Sequence, residues 1–222
     1  MRALRNWFAR RARTASIIAA FTLVGLTLAL AVVDRLNPIG RSRADDRSVV
    51  VTAADGTLLR TFVSRDGKWR LPVKPNKVDA RYLRMALAWE DQRFREHPGV
   101  DPFAMLRAAY QMAVKARVVS GGSTITMQVA RLMEPRERTL SAKLLQMARA
   151  IQLDLHLSKN EILELYLTLA PFGGNLEGVR AASFAWFGKE PHNLTVGEAA
   201  LLVALPQSPE RRRPDRFPAI AK

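Results

Sequence analysis

The sequence predicts a mainly α protein: a helical domain with a small β region at its start, carried behind one membrane-spanning helix. Three observations predict it. An uncharged apolar run extends from Ile17 to Val33. Two Asp-Gly turns, Asp55-Gly56 and Asp66-Gly67, separate short β-forming runs between Val49 and Leu71. From Asp79 onward, apolar residues recur at helical spacing behind clear helix-start signals.

The apolar run is diluted only by Thr22, Gly25 and Thr27. As a helix it covers about 25 Å, the short end of what a bilayer needs. Arg2, Arg5, Arg10, Arg11 and Arg13 precede it without any acid. That asymmetry keeps the N-terminus in the cytoplasm and sends the rest of the chain outward. Ala29-Leu30-Ala31 resembles a cleavage site, but the run is longer than a usual signal core, so an uncleaved anchor is preferred. The expected organisation is a cytoplasmic basic tail (1–15), an anchor (16–33), a linker and small β region (34–78) and a helical domain (79–222).

Asn37-Pro38 and Gly40 mark residues 34–47 as linker. Val49–Thr52, Leu58–Val63 and Lys68–Leu71 then read as a three-strand meander, ended by Pro72 and Pro75. Asp101-Pro102 starts a helix, and the segments from Ser158 to Glu161 and from Thr195 to Glu198 are capping boxes. Helices are expected near 79–93, 102–119, 123–133, 139–156, 159–169, 177–187 and 196–204. The segment from Phe103 to Val119, with Met105, Leu106, Tyr110 and Met112, is either a core helix or a surface that meets lipid.

Composition excludes several classes. The 222 residues hold no cysteine, so disulfides, thiol catalysis and thiolate metal sites are absent. There is no phosphate-cradling glycine loop, no HExxH and no zinc-finger spacing. Ser-x-x-Lys and Lys-Thr-Gly are missing, so no penicillin-reactive serine is encoded. Lys and Arg number 35 against 20 Asp and Glu, a formal charge of +15. The excess suits an acidic membrane or a phosphate-bearing substrate. Nucleic acid is not expected, because the anchor places the domain outside.

Four segments remain. They are Glu90 to Gly99 (EDQRFREHPG), Gly121 to Gln128 (GGSTITMQ) with Arg131 after it, Lys143 to Gln146, and Lys159 to Leu167. In this order they resemble the peptidoglycan glycosyltransferases of glycosyltransferase family 51, the polymerase half of class A penicillin-binding proteins. The first motif, E-D-x-x-F-x-x-H-x-G, is matched at Glu90, Asp91, Phe94, His97 and Gly99. The second, G-G-S-T-I-T-Q-Q, is matched except at Met127. The third, R-K-x-x-E, keeps only Lys143, with Ala142 and Gln146 at its ends, and the fourth ends in Thr168 where Asn is usual. Met127 and Gln146 look like features of one branch of the family, and Gln146 removes one of the two usual acids.

The resemblance implies a lysozyme-like helical domain that polymerises lipid II into glycan strands, releasing undecaprenyl pyrophosphate with inversion. It assigns the general base to Glu90, with Gln146 at the second catalytic position. Asp91, His97, Ser123, Thr124, Gln128, Arg131 and Lys143 are the expected substrate-binding residues. Asp91 orients Glu90 or caps the following loop, and His97 with Phe94 suits packing better than reaction. Gly121-Gly122 opens the backbone so that N–H groups at the following helix start meet phosphate. Arg131 and Lys143 suit the pyrophosphate. Glu161 and Glu164 suit a cap and a helix pair.

No cofactor is required, and Mg²⁺ at the pyrophosphate is the one candidate. Expected partners are lipid II, the growing strand, inner-membrane lipids and other cell-wall synthesis proteins. The expected location is the bacterial inner membrane, single-pass, with the domain periplasmic. Two other readings stand: a lytic, lysozyme-like glycosidase, and a non-catalytic membrane-bound scaffold. Family members continue past Lys222 with a further basic helix and a transpeptidase domain, so the chain is expected to be a fragment truncated in its last domain.

Overall fold

The computed structural model describes residues 2–115, 122–137 and 139–216, in two compact units, Met1–Ile39 and Gly40–Lys222. The first unit is a single helix, α1 (Arg2–Leu36), that runs through the expected basic tail as well as the apolar run. Its segment Arg13–Leu36 has 24 residues and a mean hydropathy of 2.5 over its most apolar window, long and apolar enough to cross a membrane. Two polar side chains within it bond back to the helix's own backbone. Thr22 Oγ1 donates to the Ile18 carbonyl at 2.9 Å, and Thr27 Oγ1 donates to that of Val24 at 2.8 Å.

The second unit opens with one turn of helix, α2 (Ser42–Asp45), inside the stretch expected to be irregular. Strands β1 (Val49–Thr52) and β2 (Leu58–Phe62) form an antiparallel hairpin with Val50 opposite Thr61. Asp55 closes its turn by accepting the Thr57 N–H at 2.9 Å, while Gly56 takes φ +85°. The expected meander stops there. Strand β3 (Trp69–Arg70) pairs in parallel with β4 (Leu176–Glu177) and leaves β2 unextended.

The cause is Arg70, whose side chain is fully buried and must find anions. Its Nε donates to Glu177 Oε2 at 2.8 Å and its Nη2 to Asp66 Oδ2 at 2.7 Å. Arg43 reaches the other oxygen of Glu177 at 2.6 Å. An ion cluster therefore fixes where the third strand goes, overriding hairpin propensity.

The helices follow the sequence pattern closely. They are α3 (Ala80–Glu90), α4 (Pro102–Lys115), α5 (Ile125–Met133), α6 (Leu140–His156), α7 (Lys159–Leu169), α8 (Val179–Phe187) and α9 (Val196–Ala204). Both capping boxes are formed, Ser158 with Glu161 and Thr195 with Glu198. Thr139 caps α6, and Asp79 caps α3 through the Arg81 N–H at 2.8 Å. The last expected residues of α4, 116–119, lie outside the described residues, as does Gly121.

The core centres on α5 and α7. Ile125, Met127, Val129 and Ala130 of α5 are buried, and α7 buries Ile162, Leu163, Leu167 and Leu169. Each such aliphatic side chain contributes about 1.5–3 kcal/mol. Helix α5 packs on α6 and α7, and α3 packs on α9. Helix α4 is no core helix. Phe103, Leu106, Tyr110 and Val114 recur at helical spacing and are 63–70% exposed.

Candidate active site

The residues after α3 form a loop that is bolted to α5. The Asp91 carboxylate accepts the Ile125 N–H at 2.9 Å and holds His97 Nε2 at 3.0 Å from both its oxygens. Thr124 donates from its hydroxyl to the Gly99 carbonyl at 2.6 Å and accepts the Met127 N–H at 3.1 Å. Gly99 takes φ +82°, and a Cβ there would collide with the Ala150 carbonyl of α6. Lys159 completes the frame. Its Nζ donates to the His97 carbonyl at 2.6 Å and lies 5.1 Å from the centroid of the buried Phe94 ring.

This frame sets Glu90, the last residue of α3, beside α5. Gln128 lies one turn past the Thr124 cap, and its amide donates to Glu90 Oε2 at 2.8 Å. Gln207, in the 3₁₀ turn Leu205–Gln207 after α9, donates to Glu90 Oε1 at 3.4 Å. Arg212 fixes which way that amide faces by donating to Gln207 Oε1 at 3.0 Å. Below Glu90 lie two buried phenols. Burial, and then the nearby Glu90 charge, push the Tyr82 hydroxyl well above its ordinary value. Burial does the same to Tyr166, helped by Tyr82 and Glu90.

Next to Glu90 is an open cavity of about 860 Å³ lined by Arg131, Glu134, Lys143, Gln146, Arg149 and Gln207, among others. Lys143 donates to Ser123 Oγ at 2.6 Å. Burial, with the repulsion of Arg131 added, holds its ammonium below the ordinary lysine value. Gln146 donates to the Met127 carbonyl at 2.5 Å, so this side chain also ties α6 to α5.

The expected site residues therefore divide into two sets. Glu90 meets Gln128, Ser123 meets Lys143, and Arg131, Lys143 and Gln146 share the cavity. Asp91, His97 and Thr124 are buried, with the bonds just described made inside the protein. As placed, they join the loop after α3 to α5, and none of them lines the cavity. The helix start expected to meet phosphate lies two residues later than the sequence suggested, and part of it is engaged inside the protein. The helix begins at Ile125 with Thr124 as its cap, and its Ile125 and Met127 N–H groups are taken by Asp91 and Thr124. Asp91 caps this helix and makes no bond to Glu90 among the described residues.

Sequence reasoning missed Gln207, Arg149 and Glu134. Arg149 carries a faint signal, three residues beyond Gln146 on the same side of α6, whereas Gln207 carries none. Thr168, where asparagine was expected, is buried and donates to the Glu164 carbonyl at 2.8 Å. Among the described residues no group of three or more His, Cys, Asp or Glu could hold a metal ion. A magnesium ion would have to be carried mainly by substrate phosphates, and no step below is routed through one.

Comparison with known proteins gives the family. A transglycosylase family model matches residues 55–222. The chain is 52% identical over 189 residues to penicillin-binding protein 1C of Escherichia coli, which covers 85% of this chain and 24% of that protein. It is 38% identical to penicillin-binding protein 1A of Vibrio cholerae, over 74% of this chain and 20% of that one. Against penicillin-binding protein 1A of Aquifex aeolicus it is 40% identical, over 67% of this chain and 21% of that one. The chain thus spans a quarter or less of the length of these relatives. With the family model covering residues 55–222, most of its length, this chain belongs to the transglycosylase family.

Proposed function

We propose that the domain is a peptidoglycan glycosyltransferase that polymerises lipid II, with Glu90 as general base. The observation that carries this reading is the placement of Glu90, held by Gln128 at 2.8 Å, next to a cavity lined by Arg131, Lys143 and Arg149. A carboxylate beside a cationic cavity is what this transfer needs. The acceptor 4-hydroxyl oxygen attacks the anomeric carbon, and Glu90 takes its proton. The bond from that carbon to the pyrophosphate oxygen breaks, and its electron pair leaves on undecaprenyl pyrophosphate. Attack opposite the leaving group inverts the anomeric centre.

Arg131 and Lys143 stabilise the charge that grows on the pyrophosphate, and Gln146 offers a neutral polar contact. The same cations argue against a lytic glycosidase, which has no anionic leaving group to hold. Helix α1 is read as an anchor in the bacterial inner membrane, its five arginines inside and the catalytic domain in the periplasm. The outward apolar face of α4 suits contact with inner-membrane lipids that present the substrate. The growing glycan strand and other cell-wall synthesis proteins are the remaining partners of this reading.

Glu90→Gln tests it. The amide keeps shape but cannot accept the proton, so polymerisation of lipid II should fall about 10²–10⁴-fold while binding of lipid II changes little. Near-normal polymerisation by the variant would remove Glu90 as the base. Release of sugar from insoluble peptidoglycan, without lipid-linked substrate, would favour the lytic reading.

A further inference from the structure

The cavity lining holds, at Glu134, a contact that the reaction as derived does not use. Glu134 caps the C-terminus of α5 and spreads its carboxylate between two guanidiniums. Its Oε1 lies 3.1 Å from Arg149 Nη2 and its Oε2 lies 3.2 Å from Arg136 Nη2. Arg136 is an exposed loop residue, whereas the Arg149 side chain is only 4% exposed, yet both line the cavity. One anion bridging two guanidiniums, one oxygen to each, is the contact a phosphate group makes.

We propose that Glu134 is an internal stand-in for phosphate, guarding a second anion subsite formed by Arg149 and Arg136. The leaving pyrophosphate of a lipid-linked donor displaces it there. This assignment of the ligand rests on the glycosyltransferase reading above.

Three observations support it. The position is appropriate: Lys143, Gln146 and Arg149 step along one side of α6 at three-residue spacing, and all three line the cavity, so the subsite continues that row of polar contacts. The charge is appropriate as well. Among the described residues the lining holds Arg131, Arg136, Lys143 and Arg149 against Glu134 and Glu137, a surplus that accepts a polyanion. The chemistry also explains Arg149. A buried guanidinium is costly unless it is paired with an anion, and Glu134 pairs with this one at 3.1 Å.

Glu134 supplies that anion when the cavity is empty. A pyrophosphate, bearing more charge, outcompetes it as the bond to the sugar breaks. The exchange trades one anion for another and leaves no cation stranded. It favours the transition state, where leaving-group charge is greatest, over the ground state.

The experiment measures binding of inorganic pyrophosphate to the full chain in detergent by calorimetry, and its competition with lipid II in polymerisation. Glu134→Gln removes the competing carboxylate from between the two guanidiniums and should tighten pyrophosphate binding about tenfold, one charge-assisted contact's worth. Glu137→Gln removes the same charge from the same cavity, and Glu137 makes no ion pair with Arg149 or Arg136 among the described residues. It should change binding by about twofold or less. Adding Arg149→Gln to Glu134→Gln should abolish the gain.

Equal tightening in the two glutamate variants would reduce the effect to bulk charge and overturn the subsite. Weaker binding in a folded Glu134→Gln protein would overturn it too, leaving Glu134 as an anchor for Arg149. Should Glu134→Gln fail to fold, Arg136→Gln at its exposed site decides: binding weakened about threefold or more supports the subsite, and unchanged binding rejects it. If the pyrophosphate shifts occur in a wild-type protein that does not polymerise lipid II, the proposed function fails and the subsite stands. If the wild type polymerises but the shifts are absent, the subsite alone fails.

Discussion

Asp91 accepts the N–H of Ile125, 34 positions further along the chain, at 2.9 Å. That one bond joins the loop behind the proposed base to the helix that carries Gln128. Its carboxylate serves helix start and imidazole together, so the charge matters as well as the shape. Asp91→Asn should therefore destabilise the domain by about 1–3 kcal/mol, read as a lowered midpoint in denaturant. Polymerisation should fall with it, and an unchanged midpoint would show that the clamp is dispensable.

Lys143 gives the site an alkaline limit. Burial and Arg131 hold its ammonium below the ordinary lysine value, so the folded state carries a cost for protonating it. That cost is fully present at neutral pH, begins to fall as pH rises through the depressed value and is gone above the ordinary lysine value. Phosphate stabilisation needs the charged form, so the rate should decline on the alkaline side before ordinary lysines titrate. Lys143→Arg should move that limb to higher pH. A limb that stays in place would assign it to another group.

Gln146 separates family pattern from local chemistry. Gln146→Glu restores the acid usual at this position in the family but sets a carboxylate against the Met127 carbonyl, where the amide now donates. The variant should be less stable at pH 7 by about 1–3 kcal/mol, the cost of an opposed acceptor. The facing carbonyl raises the new carboxyl's folded pKa, so the loss should shrink as pH falls and the group protonates. Equal stability of both forms at pH 7 would show that the contact carries no weight.

The buried ion cluster predicts acid behaviour. Burial works against the Asp66 charge, but the Ser64 hydroxyl and Arg70 outweigh it and draw the carboxyl down to about 2. A depressed acid contributes stability above its unfolded value, near 3.8, and loses it as pH falls toward about 2. Asp66→Asn should flatten that part of the stability curve, modestly, since Asp66 is 41% exposed. Glu177→Gln leaves Arg70 buried without its closest carboxylate and should cost about 3–5 kcal/mol. A loss below about 1 kcal/mol would show the cluster to be unimportant.

The helices were legible because their signals are local. The boxes at Ser158 and Thr195 and the Asp101-Pro102 start mark termini that the structure reproduces. Glu90, Gln128 and Lys143 were legible through motif context. What escaped was long-range. Arg70 seeks Glu177 across 107 positions, and Gln207 reaches Glu90 across 117, distances no window of periodicity samples. Asp91 and Thr124 were read as facing substrate because motif membership does not reveal which way a side chain turns. The structure spends both on bonding a loop to a helix.

The parallel pairing of β3 with β4 bears on the order in which the domain matures. The chain between Arg70 and Glu177 contains α3 to α7, so closing this pair encloses most of the site. Closure of so long a loop is entropically costly and follows the local helices. In a chain delivered N-terminus first, Arg70 stays without Glu177 until the second strand has emerged. A stall anywhere before residue 177 leaves this pair open, with helices formed but the fold around them unfinished.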